Sequence, residues 1–167
     1  MKAKKFVAVV GDRNSGKSTI IQALTGCRTN ASKRMIDLVT KKWIYVVAAS
    51  PQETGMKRAT LAGILRKVAN SPNCLGLVIA LQPSRPRKRL SIKDVLREAV
   101  KRKAADEYHL FAISHPYNEG GRRVGTDEIE QRFRDAVPGV RPHLRSLDGR
   151  RFAYMNATII SNSIGWF

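Results

Sequence analysis

The sequence predicts a three-layer α/β/α fold built on a mostly parallel sheet with one antiparallel hairpin strand. Three observations lead there. Short, almost uninterrupted apolar runs at 5–10, 74–81 and 109–114 suit strands buried on both faces. Stretches with apolar residues at helical spacing alternate with them, as in a sheet covered on both sides. Two further strand-like runs, Met35 to Thr40 and Trp43 to Ala49, are separated only by Lys41-Lys42, a connection so short that it permits only a hairpin.

Taken in order, Lys5 to Val10 is the first buried strand, and Ile20 to Leu24 lies in the helix that follows it. Arg28 to Arg34 is polar and reads as a loop before the hairpin, and 50–56 as a second loop after it. Leu61, Ile64, Leu65 and Val68 repeat at helical spacing until Asn70-Ser71-Pro72-Asn73 stops the helix. Cys74 to Leu81 is a strand, and 83–90 a basic loop punctuated by proline. Ser91 with Asp94 predicts a capping box, ahead of the stripe Ile92, Val95, Leu96, Ala99 and Val100. His109 to Ser114 is the next strand, and 116–125 a long loop. Thr126 is the expected cap of a helix with Asp127 and Glu128 in its first turn and Ile129, Phe133 and Val137 on one face. Residues 138–151 look irregular, and Phe152 to Ile160 reads as a last strand on its aromatic and β-branched content.

Between the first strand and its helix stands Gly11-Asp12-Arg13-Asn14-Ser15-Gly16-Lys17-Ser18-Thr19, which fills every fixed position of the phosphate-binding pattern GxxxxGK[ST]. Gly11 and Gly16 let the backbone curl closely around phosphates. The N–H groups at the helix start then meet phosphate oxygens, where the helix dipole also favours negative charge. Lys17 reaches the β and γ phosphates and is the first catalytic candidate, while Ser18 offers its hydroxyl to magnesium. A strand before and a helix after supply the context the motif requires, so ATP or GTP with magnesium is the expected ligand.

Composition narrows the company this ligand keeps. At 167 residues the chain has the size of one domain, 1–167, and 43% hydrophobic content is ordinary. The balance of 31 Lys and Arg against 13 Asp and Glu, a formal +18, is not. Such a field attracts polyanions, so nucleic acid or an acidic protein is the expected partner, with a generally basic protein as the alternative. No segment nears the roughly 20 apolar residues that cross a bilayer. The apolar run after Lys4-Lys5 ends in the phosphate loop instead of forming a signal peptide. Cys27 and Cys74 lack metal-site spacing, and a cytoplasmic location is expected.

The run Val9 to Gly26 resembles the opening of small GTPases of the translation-factor type within the P-loop NTPase fold, and the loop and hairpin that follow extend the similarity to residue 56. In potassium-activated members of that family an Asn at the fourth loop position helps hold a monovalent cation. Asn14 matches it, so potassium joins the implied ligands, unless Asn14 serves the turn alone. Family members end their third strand with Asp, two variable residues and Gly. Here Ala49-Ser50-Pro51-Gln52-Glu53-Thr54-Gly55 stands there instead, leaving Gln52 and Glu53 as candidates to orient an attacking water and Thr29 as a switch contact. The guanine-selecting Asn-Lys-x-Asp is replaced by His115-Pro116-Tyr117-Asn118. The departures imply firm binding and slow turnover.

Residues 83–103 carry nine Lys or Arg against Asp94 and Glu98. Arg85, Arg87, Lys88 and Arg89 follow a strand, at the sheet end where ligands bind, and are the expected polyanion contacts. They could instead clamp phosphoryl oxygens as a kinase lid, with Arg122 and Arg123 as a second candidate. His109, His115 and His143 are scattered in sequence, and only His115 falls near the ligand end. Trp166-Phe167 packs on the sheet or on a partner. Three functions stay open: a slow NTPase or GTPase-like switch acting with a polyanion, a small phosphotransferase with an Arg-rich lid, and a non-enzymatic nucleotide-binding adaptor for nucleic acid or an acidic protein.

Overall fold

The computed structural model describes residues 2–84, 86–118 and 120–166. Six strands form one sheet in the order β2-β3-β4-β1-β5-β6. They are β1 (Lys5–Val10), β2 (Ser32–Ile36), β3 (Trp43–Val47), β4 (Cys74–Leu81), β5 (Glu107–His115) and β6 (His143–Asp148). Only β2 and β3 pair antiparallel; every other neighbour is parallel. The helices are α1 (Lys17–Thr25), α2 (Pro51–Thr54), α3 (Arg58–Asn70), α4 (Ile92–Lys101), α5 (Thr126–Ala136) and α6 (Ala153–Ile164).

Alternate residues of the central strands feed two cores, which is why β1 and β4 read as continuous apolar runs. Phe6, Ala8 and Val10 of β1 join Leu77, Ile79 and Leu81 of β4 under α3, α4 and α5, through Leu61, Leu65, Leu96 and Phe133. Val7 and Val9 face the other way with Val78, Phe111 and Ile113, against Ile20 and Ile21 of α1 and Ile160 and Ile164 of α6. Trp166 packs on this second core, while Phe167 lies outside the described residues. The expected three layers are therefore present. The Ser91–Asp94 capping box also forms, each side chain bonding the other residue's backbone N–H.

Several boundaries differ from the sequence reading. The hairpin is antiparallel as expected, but β2 begins at Ser32, inside the expected loop, and the connection runs over 37–42, closed by Asp37 bonding Val39 N–H and Thr40. As an edge strand β2 buries little, so its polar start gives no strand signal. The loop after β3 contains α2, nucleated by Pro51 at its first position and by the Ser50 cap. Gly125, not Thr126, precedes α5 as its cap. The largest correction is at the end of the chain. Phe152 to Ile160 is not a strand but belongs to α6, because Asn156, Ala157, Ile160 and Ile164 form one buried helical face. The last strand is β6, in the stretch expected to be irregular, where a half-solvated edge position demands no apolar run.

β4 lies between β3 and β1, and one glycine makes that neighbourhood possible. Gly76 pairs with Lys5 at φ 145, and a Cβ there would stand 1.9 Å from the Lys5 carbonyl oxygen. Gly76→Ala is expected to lower stability by about 3 kcal/mol or more, since backbone strain and overpacking add. An unchanged chemical-denaturation midpoint would contradict the β1–β4 pairing.

Candidate functional site

β1 ends between the C-terminal ends of β4 and β5, the position at which doubly wound sheets bind ligands. The 11–19 loop is fastened there on both sides. Gly11 N–H donates to the Leu81 carbonyl of β4 at 3.1 Å, and Tyr117 N–H, beyond β5, donates to the Ser15 carbonyl at 3.2 Å. Asn14 (φ 59) and Gly16 (φ 100) take left-handed conformations that turn the loop, so Asn14 has the turn role open to it from sequence. No side chain caps α1, which leaves its first N–H groups available to an anion. Ser15 Oγ is buried and has no hydrogen-bond partner, as a ligand cradle would provide.

Lys17 is 3% exposed. Its ammonium donates to the Asp12 carbonyl at 2.7 Å and forms an ion pair with Glu53 Oε1 at 3.3 Å. Burial pulls the Lys17 pKa below its ordinary value, and the charges of Glu53 and Asp12 oppose that pull. Ser18 Oγ donates to the Ala48 carbonyl at 2.8 Å, which leaves its lone pairs for a cation. Thr19 is exposed at the start of the helix, and Arg13 is exposed beside it.

Ser50 places Glu53 by accepting its N–H at 3.2 Å. Gln52, fully buried, is committed on both sides: its amide nitrogen donates to the Leu90 carbonyl at 2.9 Å, and its oxygen accepts Gln82 N–H at 3.0 Å. Of the two water-orienting candidates, Glu53 is the one that meets Lys17. Arg89 donates to the carbonyls of both Gln52 and Glu53, so the basic loop is tied to α2. The loop thereby splits into two roles. Arg89 turns into the cleft, Arg87 and Lys88 are exposed, and Arg85 lies outside the described residues.

Together these residues line a cleft of about 1350 Å³. Thr29 and Asn30 border it, as the expected switch contact requires. Among the described residues that line it, Glu53 is the sole carboxylate, and the lining cations are Arg13, Lys17, Arg89, Arg150 and Arg151. Arg122, paired with Glu128, and Arg123 lie elsewhere, as does the His115 side chain, which meets Ser114 Oγ. The His115 carbonyl instead accepts Gly149 N–H at 2.6 Å, bringing the turn after β6 down onto the phosphate loop. A Cβ on Gly149 would stand 2.8 Å from the Ser15 carbonyl oxygen, so this approach needs glycine.

Sequence reasoning missed Gln82, Tyr117 and the segment from Gly149 to Phe152, all on the cleft. Reading 152–160 as a strand hid the last of these. The helical spacing of Ala153, Asn156, Ala157, Ile160 and Ile164 was the available signal, since it places a strand-to-helix turn at Gly149 on the ligand side of the sheet. Arg150 in that turn pairs with Asp148 at 2.8 Å and holds its carboxyl well below the usual carboxylate range.

No helix is long and apolar enough to cross a membrane among the described residues. No curated protein and no solved structure matches the chain. A family model described as 50S ribosome-binding GTPase matches residues 6–114, from β1 to the C-terminal end of β5, and includes the phosphate loop, the Thr29 segment and α2. The match spans well over half of the sequence and agrees with the mostly parallel sheet and the Lys17 and Ser18 geometry just described; the chain belongs to the 50S ribosome-binding GTPase family.

Proposed function

We propose that the protein is a GTP-dependent switch in which nucleotide and Glu53 compete for the Lys17 ammonium, and that its polyanionic partner is RNA. The carrying observation is the 3.3 Å Lys17–Glu53 ion pair in a cleft with no other carboxylate among its described lining residues. Lys17 is where the β and γ phosphates of a bound triphosphate are met. A phosphate arriving there offers the ammonium a stronger partner and places negative charge beside Glu53. Glu53 then leaves, and α2 moves with it, being four residues long and bonded at its end to Arg89. Arg89 passes the movement to the exposed Arg87 and Lys88. Family membership implies GTP and, typically, magnesium. Ser18 would hold that ion, which supplies charge neutralisation to the phosphates.

Beside the phosphate loop, Tyr117 and Phe152 line the cleft 73% and 71% exposed, and the Tyr117 ring and the face of Phe152 not stacked on Tyr154 suit stacking on a base. Without the family's guanine-selecting tetrapeptide, stacking and the Arg150–Arg151 turn carry base recognition. Hydrolysis is slow, because Gln52 is committed to Leu90 and Gln82, and Glu53 becomes free to orient water only after it leaves Lys17. Charge of +18 and the family's printed ribosomal association favour RNA as the partner.

Two substitutions test the competition in one calorimetric series with magnesium and GTP. Lys17→Ala should weaken binding at least 100-fold, whereas Glu53→Gln should tighten it about three- to tenfold by releasing Lys17. Unchanged affinity in the first, or weaker binding in the second, contradicts the scheme. For the partner, reversing charge at Arg87 and Lys88 is expected to weaken RNA binding and flatten its salt dependence while GTP affinity holds. Equal RNA binding by the variant would rule this loop out as the contact.

A further inference from the structure

At the opposite end of the sheet, β1, β5 and β6 bring together a second group of polar side chains. Glu107 and His109 are two residues apart on β5 and so share a face, and His109 lies directly opposite His143 in the parallel β5–β6 register. One donor atom from each of Glu107, His109 and His143 lies within 4.8 Å of the other two. His109 Nε2 is 3.0 Å from Glu107 Oε2, and the two imidazoles stack with centroids 4.5 Å apart at 15°. This cluster stands toward the N-terminal ends of the strands: His109 pairs with Val7 of β1, four residues or about 13 Å before Gly11 of the phosphate loop. The nucleotide cleft makes no use of it.

We propose that Glu107, His109 and His143 form a binding site for a divalent first-row transition ion of zinc type. Two imidazoles and one carboxylate are a donor set such ions accept, leaving a position for water. Two features prepare it. His109 is 5% exposed and its Nε2 is held 3.0 Å from the Glu107 carboxylate, so two of the three donors already meet. Lys5, paired with Glu107 at 3.4 Å, also donates to the Ile164 carbonyl at the end of α6 at 2.7 Å, and keeps that partner when a metal takes the carboxylate. His143 is exposed, which leaves an entry path from solvent. A bound ion would cross-link β5 to β6, and β6 leads into the Gly149–Phe152 turn of the cleft. Only the β5–β6 pairing brings His143 to Glu107 and His109, which is why no sequence spacing marks the site.

Zinc chloride titrated into the full chain by calorimetry, with cobalt(II) absorption as a second readout, tests this. The expected result is one equivalent bound, a cobalt band typical of a four- or five-coordinate site, and at least tenfold weaker binding in His143→Ala, whose position is exposed and tolerant. Glu107→Gln, measured alongside, should weaken zinc similarly, and circular dichroism verifies that both variants remain folded. Magnesium should not compete. Equal zinc affinity in wild type and His143→Ala, or an octahedral cobalt spectrum in the wild type, overturns the proposal.

Discussion

The ammonium of Lys17 is the constraint on which the rest of the site depends. An unpaired charge removed from water costs several kcal/mol, so a lysine 3% exposed must have acceptors close by. Here the acceptors come from the Asp12 carbonyl and from Glu53, and they differ in kind. Asp12 belongs to the same loop and stays with Lys17, whereas Glu53 belongs to α2 and can leave. A triphosphate supplies what Glu53 supplies, with more negative charge. In the proposed switch, the burial that makes Lys17 demanding also makes its partner exchangeable, which would link a nucleotide to α2 without any rearrangement of the sheet.

The scaffold around this pair explains why movement would be confined. Gly11 and Tyr117 pin the phosphate loop to β4 and to the segment after β5, and Gly149 packs against it from β6. The first two of these contacts are backbone hydrogen bonds, one of them to the buried strand β4. α2 is held differently, by the Ser50 cap, the Gln52 amide and the Arg89 guanidinium, all of them side chains. The positive charge is partitioned in the same way: Arg13, Arg150 and Arg151 line the cleft, Arg89 connects α2 to its loop, and Arg87 and Lys88 face solvent. The Glu53 carboxylate pairs with Lys17, while its backbone carbonyl is held by Arg89.

How much of this was legible in the sequence follows from where burial is complete. β1, β4 and β5 are buried on both faces and announced themselves as apolar runs; α3, α4 and α5 cover one face each and showed the helical stripe. The phosphate loop was legible because each of its residue types answers a local demand of backbone or charge. Edge positions were not legible. β2 and β6 bury little, so the sequence pattern sets β2 too late and leaves β6 looking irregular, while the β-branched and aromatic residues of 152–160 favour a strand although packing of α6 on α1 makes them a helix. Long-range juxtapositions were invisible for a different reason. Glu53 beside Lys17, and Tyr117 beside the Gly149 turn, depend on strand order, and β4 lying between β3 and β1 is written in no local pattern.

Hydrogen–deuterium exchange of the protein alone, with GDP, and with a non-hydrolysable GTP analogue and magnesium examines the Lys17–Glu53 exchange most directly. The GTP analogue is expected to protect residues 11–19 and, unlike GDP, to change exchange in 50–56 and 86–90 together, because its γ-phosphate would displace Glu53 and α2 would carry Arg89 with it. A response confined to 11–19, or the same response to GDP and to the analogue, would contradict it.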